Sequence, residues 1–266
     1  MPDSASHALA ARPFGAAMER LAGLAGFAAS DVLMNRLVRV APLVARLPFD
    51  RPGIDHPDWA ALLDAVTVQE TRMFRAASQL DAFRLQVLPA LVAGAAGRPL
   101  GLVSAGCATG EEAWTLAILG ERSLHPWQVL GLDLSRPALD AALAARYHCG
   151  PPDALREVPA DDRALLDIDG GWFEPVTALR PHVTFRRANL LDCRLPAAGA
   201  DAILCRNVLI YMTMEGRLAV LRQLVAALRP GGALLLGPTD SPPPGIGLRP
   251  WSREVVGIWR REAADG

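Results

Sequence analysis

The chain contains no lysine. All 27 basic residues are arginines, set against 28 acidic residues for a net charge of -1 over 266 residues. Chemistries that need a primary amine are thereby excluded. These include the Gly-Lys-Ser/Thr ending of a phosphate-binding P-loop, the lysine Schiff base of pyridoxal enzymes, the Ser-x-x-Lys nucleophile and the strand lysine of a kinase. Any catalytic cation is an arginine, a histidine or a metal. Ala, Arg, Gly, Pro and Leu abound, as a GC-rich coding bias produces, which accounts for the missing lysine without weakening the exclusions. The four cysteines form no C-x-x-C pair, so neither a disulfide framework nor a metal site is expected, and a reducing cytoplasm fits best. Long apolar runs are lacking too. Gln86 to Gly97 is broken by Pro89 and falls short of the ~18 residues of a membrane span, so no membrane insertion is expected. Asp3 and the want of a basic run before an apolar core argue against a secretory signal. Near-neutral charge leaves no broad electrostatic footprint for nucleic acid.

What is present suffices for a sizeable core, with 51% hydrophobic and 21% charged residues. Before Pro99 the pattern is helical. Apolar residues recur at spacings of three and four over Ala16–Gly26 and Asp31–Leu47, with Asp31 as N-cap and Pro42 as a kink or stop. Further helices are expected over Asp58–Val66 and Met73–Val92. After Pro99, short apolar runs alternate with helices. The runs are Leu100–Ala105, Trp127–Leu132, Val183–Arg187, Asp201–Cys205 and Ala233–Leu236, and the helices start at Glu111, span Arg136–Tyr147 and span Arg217–Leu228. That alternation predicts an α/β fold with a mainly parallel sheet covered by helices on both faces. Turn signals at Gly150-Pro151-Pro152 and Asp169-Gly170-Gly171 interrupt the rhythm, so 150–181 is expected to be a small antiparallel β insertion. The expected organisation is a helical domain and linker over 1–97 and an α/β domain over 98–266.

Three segments carry the chemistry. In Leu102-Val-Ser-Ala-Gly-Cys-Ala-Thr-Gly-Glu-Glu112 a strand enters a loop with Gly106 and Gly110, and a helix begins at Glu111. Such loops bring backbone close to a nucleotide-like ligand at the carboxyl ends of strands. The spacing Gly106-x-x-x-Gly110 departs from the dinucleotide pattern, and Glu111 and Glu112 stand where a helix N-terminus would otherwise hold a pyrophosphate. Carboxylates there repel phosphate and attract an ammonium, which turns the reading from NAD toward S-adenosylmethionine. The same two residues also complement a helix dipole, a bland alternative of about equal weight at this point. Asp133, ending the next strand, stands where an acid accepts hydrogen bonds from ribose hydroxyls, unless it merely caps a helix, a role open to Ser135. The third cluster is Cys205-Arg206-Asn207-Val208-Leu209-Ile210-Tyr211, polar residues leaving an apolar strand end.

In order along the chain, these segments resemble the CheR-type chemotaxis receptor methyltransferases. Thr67-Val-Gln-Glu-Thr71-Arg-Met-Phe-Arg75 is similar to that family's T-x-N-x-T-x-F-F-R, and Ser104–Glu112 to its S-A-G-C-S-T-G-E-E. Phe185–Leu191, Asp201–Tyr211 and Leu228-Arg-Pro-Gly-Gly232 follow in the family's order. The resemblance spans about residues 14–261. It implies a Rossmann-like methyltransferase sheet, S-adenosylmethionine as cofactor with S-adenosylhomocysteine as product, and O-methylation of glutamate side chains. Among site residues it implies Asp133 at the ribose, Glu112 at the methionine amine, and Asn189 and Leu190 beside the adenine. Gly106, Arg206 and Asn207 would line the pocket, with Tyr211 near the methyl group. Gln69, Thr71 and Arg75 would reach in from the helical side to the cofactor, with Arg75 near its carboxylate end and the incoming glutamate, and Arg75 and Tyr211 would be the catalytic pair. The implied partner is the acidic cytoplasmic helices of a chemoreceptor or related signalling protein, met by the face of Arg36 and Arg39. A glutamate nucleophile, with a free pKa of ~4.3, is already ionised at neutral pH, so no general base is required.

Departures from the family's pattern keep other readings open. Gln69 stands for an asparagine, and Pro238-Thr239-Asp240 for the usual His-Ser-Glu. The same fold acting on a different acceptor is one alternative. A non-catalytic module that senses cofactor while binding a partner is another, and NAD-dependent redox chemistry a distant last.

Overall fold

The structure, a computed structural model, describes residues 4–263, with side chains from Pro13 onward. Asp3 lies outside the described residues. Four helices come first: α1 (Ser4–Ala25), α2 (Asp31–Arg39), α3 (Ala41–Val44) and α4 (Pro57–Val66). The N-cap of α2 is Ser30, whose hydroxyl accepts the Leu33 N–H at 3.2 Å. Asp31, expected to be the cap, sits in the first turn, where its charge favours the helix dipole. These helices share a core of Leu21, Leu37, Trp59, Leu62 and Leu63, all fully buried.

The stretch expected as one helix from Met73 is split. Phe74 (φ 53°) and Ala76 (φ 61°) adopt left-handed conformations, and the helix starts only at Ala77 as α5 (Ala77–Ala82). A π turn, Phe83–Val87, leads into α6 (Leu88–Gly94). Pro89 has no N–H to give the turn before it, and a wider turn accommodates that loss.

The large sheet is built from β1 (Leu100–Ala105), β2 (Trp127–Asp133), β6 (Val183–Arg187), β7 (Ala200–Cys205), β8 (Leu228–Leu236), β9 (Leu248–Pro250) and β10 (Ile258–Arg261). Its order is β6-β2-β1-β7-β8-β10-β9. The first five are parallel, β10 runs antiparallel to β8, and β9 runs antiparallel to β10. A small antiparallel sheet, β3 (Tyr147–His148), β5 (Trp172–Pro175) and β4 (Leu166–Asp169), forms the insertion. The helix expected over Arg136–Tyr147 is therefore shorter. α8 ends at Ala144, Ala145 turns left-handed (φ 53°), and Tyr147 already pairs with Phe173.

Period-two alternation sorts the strand side chains onto two faces. Leu100, Leu102, Ala202, Leu204, Ala233 and Leu235 join α7 (Glu111–Arg122) and Phe83, Val87 and Leu88 in one core. Val103, Ala105, Ile203, Cys205, Leu234 and Leu236 pack on the other side with Val220, Leu221 and Leu224 of α9 (Met214–Ala227). From β1 the chain crosses to β2 on one side, and later reaches β7 on the other. This reversal opens a crevice at the carboxyl ends of β1 and β7, where doubly wound sheets bind ligands.

Candidate active site

The crevice is a cleft at the ends of these strands. The loop after β1 forms its floor. Gly106 (φ 83°) has the γ-methyl carbon of Val208 only 2.4 Å from where a Cβ would sit, and Gly110 (φ 97°) has the Ala142 Cβ at 2.7 Å. Neither position admits a side chain, which is why the loop is glycine-bearing at both. Between them, Ala108 takes φ 47° and donates its N–H to Asp133 Oδ2 at 2.8 Å.

Asp133 also accepts the Ser135 N–H on Oδ1 at 2.9 Å. It is not the helix cap. Ser135 holds that place, accepting the Ala138 N–H, which leaves the Asp133 carboxyl facing the cleft. Burial raises the Asp133 pKa, and the backbone N–H groups of Ser135, Ala108 and Leu134 oppose the rise. Burial likewise raises Glu111, whose Oε2 accepts the Thr109 hydroxyl at 2.7 Å.

Glu112 and Arg206 form a buried ion pair, Nε to Oε2 at 2.8 Å, with side chains 10% and 3% exposed. Glu112 Oε1 accepts the Ser104 hydroxyl at 2.7 Å, while Arg206 Nη1 donates to the carbonyl of Arg75 at 2.6 Å. Both residues line the cleft, but their first partners are each other. The carboxylate expected to face only an incoming ammonium already carries a cation, because burial this deep requires one.

Arg75 enters from the segment before α5. Its guanidinium donates to the Glu70 carbonyl at 2.8 Å and to Oε1 of the exposed Glu70 carboxylate at 3.4 Å, and both residues line the cleft. The same segment is tied at its start, where Arg36 Nη1 donates to the Thr67 carbonyl at 2.9 Å. Arg36 is therefore engaged within the chain, whereas Arg39 is exposed.

Of the residues singled out from the sequence, Thr71, Arg75, Gly106, Glu112, Asp133, Asn189, Leu190, Arg206, Asn207 and Tyr211 all line this one cleft. Gln69 is the exception. Its amide donates to Ser135 Oγ at 2.8 Å, so it braces the loop after β2 from behind and stands outside the lining. Its extra methylene over asparagine gives it that reach. Asn189 contributes to the lining while its Nδ2 donates to the Leu24 carbonyl at 2.6 Å and its Oδ1 caps the next turn. Phe27 and Glu70 were missed. Phe27 is brought in by the bridge it forms with Met212. The turn at Gly26 (φ 73°) makes that bridge, and the Gly that closes α1 was its only signal.

Burial, reinforced by the charges of Asp133 and Glu112, pushes the Cys107 thiol far above its usual range. Among the described residues no three His, Cys, Asp or Glu side chains converge as metal ligands. The donor set instead suits a phosphate-free nucleoside carrying an amine. It offers a carboxyl at the end of β2, acid at the start of α7, apolar Leu134, Ala188 and Leu190 nearby, and a cradle that a Cβ would fill.

Comparison with known proteins agrees. The family model described as "CheR methyltransferase, SAM binding domain" matches residues 69–244. A Chemotaxis protein methyltransferase of Listeria innocua is 33% identical over 187 residues, covering 68% of this chain and 70% of its own length. Chemotaxis protein methyltransferase 1 of Pseudomonas aeruginosa is 32% identical over 213 residues, 75% of this chain and 74% of its own. A solved S-adenosylmethionine-dependent methyltransferase from Mesorhizobium loti aligns at 23% identity over 59% of this chain and 54% of its own. Its TM-score of 0.33 is too low to add to the strand order.

Proposed function

This chain belongs to the CheR family of S-adenosylmethionine-dependent methyltransferases, and from that premise we propose that it esterifies glutamate side chains on the cytoplasmic, acidic helices of a chemoreceptor or related signalling protein. The observation that supports the acceptor assignment is that Arg75 lines the same cleft as Tyr211, with its guanidinium within 3.4 Å of a carboxylate oxygen of Glu70. A carboxylate acceptor needs what a planar guanidinium fork supplies.

Bound S-adenosylmethionine supplies an electrophilic methyl group on sulfur. The chain supplies position and dryness. Asp133 accepts hydrogen bonds from the ribose hydroxyls through the lone pairs that Ala108 and Ser135 leave free. The Glu112–Arg206 pair sets the charge at the amino-acid end. Asn189 and Leu190 border the base, with Thr71, Gly106 and Asn207 closing the walls and Gln69 acting through Ser135. Arg75 orients the incoming carboxylate and Tyr211 closes the mouth, so that water leaves before displacement. The acceptor arrives ionised, which makes a general base unnecessary. Arg39 on α2 contributes to the docking face for acidic helices. The protein works in the cytoplasm.

Calorimetry with S-adenosylhomocysteine tests the pocket. Asp133→Ala should weaken binding at least tenfold, and unchanged affinity would remove Asp133 from the site. Radiolabelled methyl transfer to receptor cytoplasmic fragments tests the acceptor. Wild-type label should be base-labile, as an ester is, and Arg75→Ala should abolish it while the protein stays folded. Wild-type turnover in that variant would refute the role of Arg75.

A further inference from the structure

Arg75 sits on an unfavourable stretch of backbone. Its neighbours Phe74 and Ala76 both have positive φ, at 53° and 61°, a conformation that non-glycine residues hold only when their surroundings impose it. Two contacts impose it from the methyltransferase side. The Phe74 N–H donates to Thr115 Oγ1 at 3.0 Å, and the Arg75 carbonyl accepts Arg206 Nη1 at 2.6 Å.

Arg206 must therefore be fixed if Arg75 is to be fixed. Glu112 holds one edge of its guanidinium, and Gln79 holds the other. Gln79 Oε1 accepts Arg206 Nη1 at 3.4 Å, while Gln79 Nε2 donates to the carbonyls of Leu236, at the end of β8, and Gly257, just before β10, at 2.9 and 3.2 Å. The place for this amide is built. Gly257 has φ 74°, and a Cβ there would come within 2.6 Å of Gln79 Nε2. Gln79 thus joins the ends of two strands to the arginine that carries the Arg75 backbone.

We propose that Gln79 is a positioning residue for methyl transfer. It holds the Arg206 guanidinium against the strand ends, and through the Arg75 carbonyl it fixes the direction in which the Arg75 side chain presents the acceptor. Gln79 lies outside the cleft lining, so it touches neither cofactor nor acceptor and acts through the placement of Arg206 and Arg75. This deepens the acceptor assignment above and rests on it. Misplacement of an orienting group by about 1 Å costs up to a hundredfold in rate.

The test is Gln79→Met, which keeps length and bulk while removing both hydrogen-bonding functions. Methyl transfer from S-adenosylmethionine to a receptor cytoplasmic fragment is measured at saturation, per S-adenosylhomocysteine-binding site counted by calorimetry. A purely structural defect removes sites without changing turnover per site. The expected result is a tenfold to hundredfold fall in kcat with S-adenosylhomocysteine affinity within about twofold of wild type. Unchanged turnover per site would overturn the proposal, as would a loss of cofactor affinity as large as the loss of rate. If the wild type labels no receptor fragment, the acceptor assignment itself fails. If Arg75→Ala abolishes labelling while Gln79→Met leaves it intact, only the role of Gln79 fails.

Discussion

Arg206 has a 3% exposed side chain with one compensating charge, Glu112, and that fixes what its loss does. Arg206→Met strands a carboxylate among apolar neighbours and should cost about 3–5 kcal/mol, whereas removing both charges in Arg206→Met with Glu112→Met should recover most of it. Urea melts of the two variants check this, and a single-variant cost below about 1 kcal/mol would show the pair to be better solvated than its burial implies. Lysine could not replace this arginine. Nε and Nη1 are directed to three acceptors, on Glu112, Arg75 and Gln79, and an ammonium has no such fork. A chain without lysine loses nothing at this site.

At the level of elements, the site is made where strands stop. The residues after β8 turn back through Pro238 and Thr239, so that the Asp240 carboxyl is buried at 7% exposure, with Oδ2 lacking any hydrogen-bond partner among the described residues. Burial raises its pKa, partly opposed by the charge of Arg217. The folded protein therefore holds this proton more tightly than the unfolded chain, and the associated stability is present at low pH and lost as pH rises through the folded value. Asp240→Asn removes that loss, so the melting temperature of the variant relative to wild type should climb from pH 4 to pH 7. A gap independent of pH would place the charge elsewhere. Asp133 and Glu111 shift in the same direction but cancel in the comparison.

The parallel strands, α7 and the glycine loop were legible in the sequence because each is a local pattern: an apolar run, a small-residue turn, an acidic helix start. Most of the cleft lining followed, since it stands at the ends of those runs. What was not legible depends on pairing across distance. The partnership of Glu112 with Arg206 spans 94 positions, and nothing in either segment announces it. β9 and β10 escaped notice because Leu248–Pro250 is short and proline-bearing, and Ile258–Arg261 is only half apolar. The left-handed residues around Arg75 broke a helix that periodicity alone extends back to Met73. Ser30 and Ser135 took the caps that neighbouring aspartates seemed suited to hold, and at Ser135 this freed Asp133 for the cleft.

For the molecule as a whole, the cores and the sequence boundary divide the chain differently. The sequence changes character at Pro99, yet Met73, Phe74, Leu80, Phe83, Val87, Leu88 and Leu91 are buried in the same core as β1 and α7. The helices α1–α4 keep a core of their own and are tied to the rest of the chain by ion pairs of Asp64 with Arg136 and Asp55 with Arg187, among other contacts. A fragment of residues 98–266 therefore uncovers the part of one sheet face that α5, the π turn and α6 pack against, while a fragment of 67–266 keeps both faces covered and retains Arg75 and Gln79. The longer fragment should unfold cooperatively in urea and the shorter should not. Because the longer one lacks Ala25 and Phe27 from the cleft lining, its S-adenosylhomocysteine affinity should fall. Its stabilisation at a fixed ligand concentration should then drop below the about 2.7 kcal/mol expected for the full chain at one hundred times its Kd. Cooperative unfolding of 98–266 would mean that α5 and α6 are dispensable to the sheet. Full ligand stabilisation of 67–266 would mean that α1 adds nothing to the cofactor's end of the cleft.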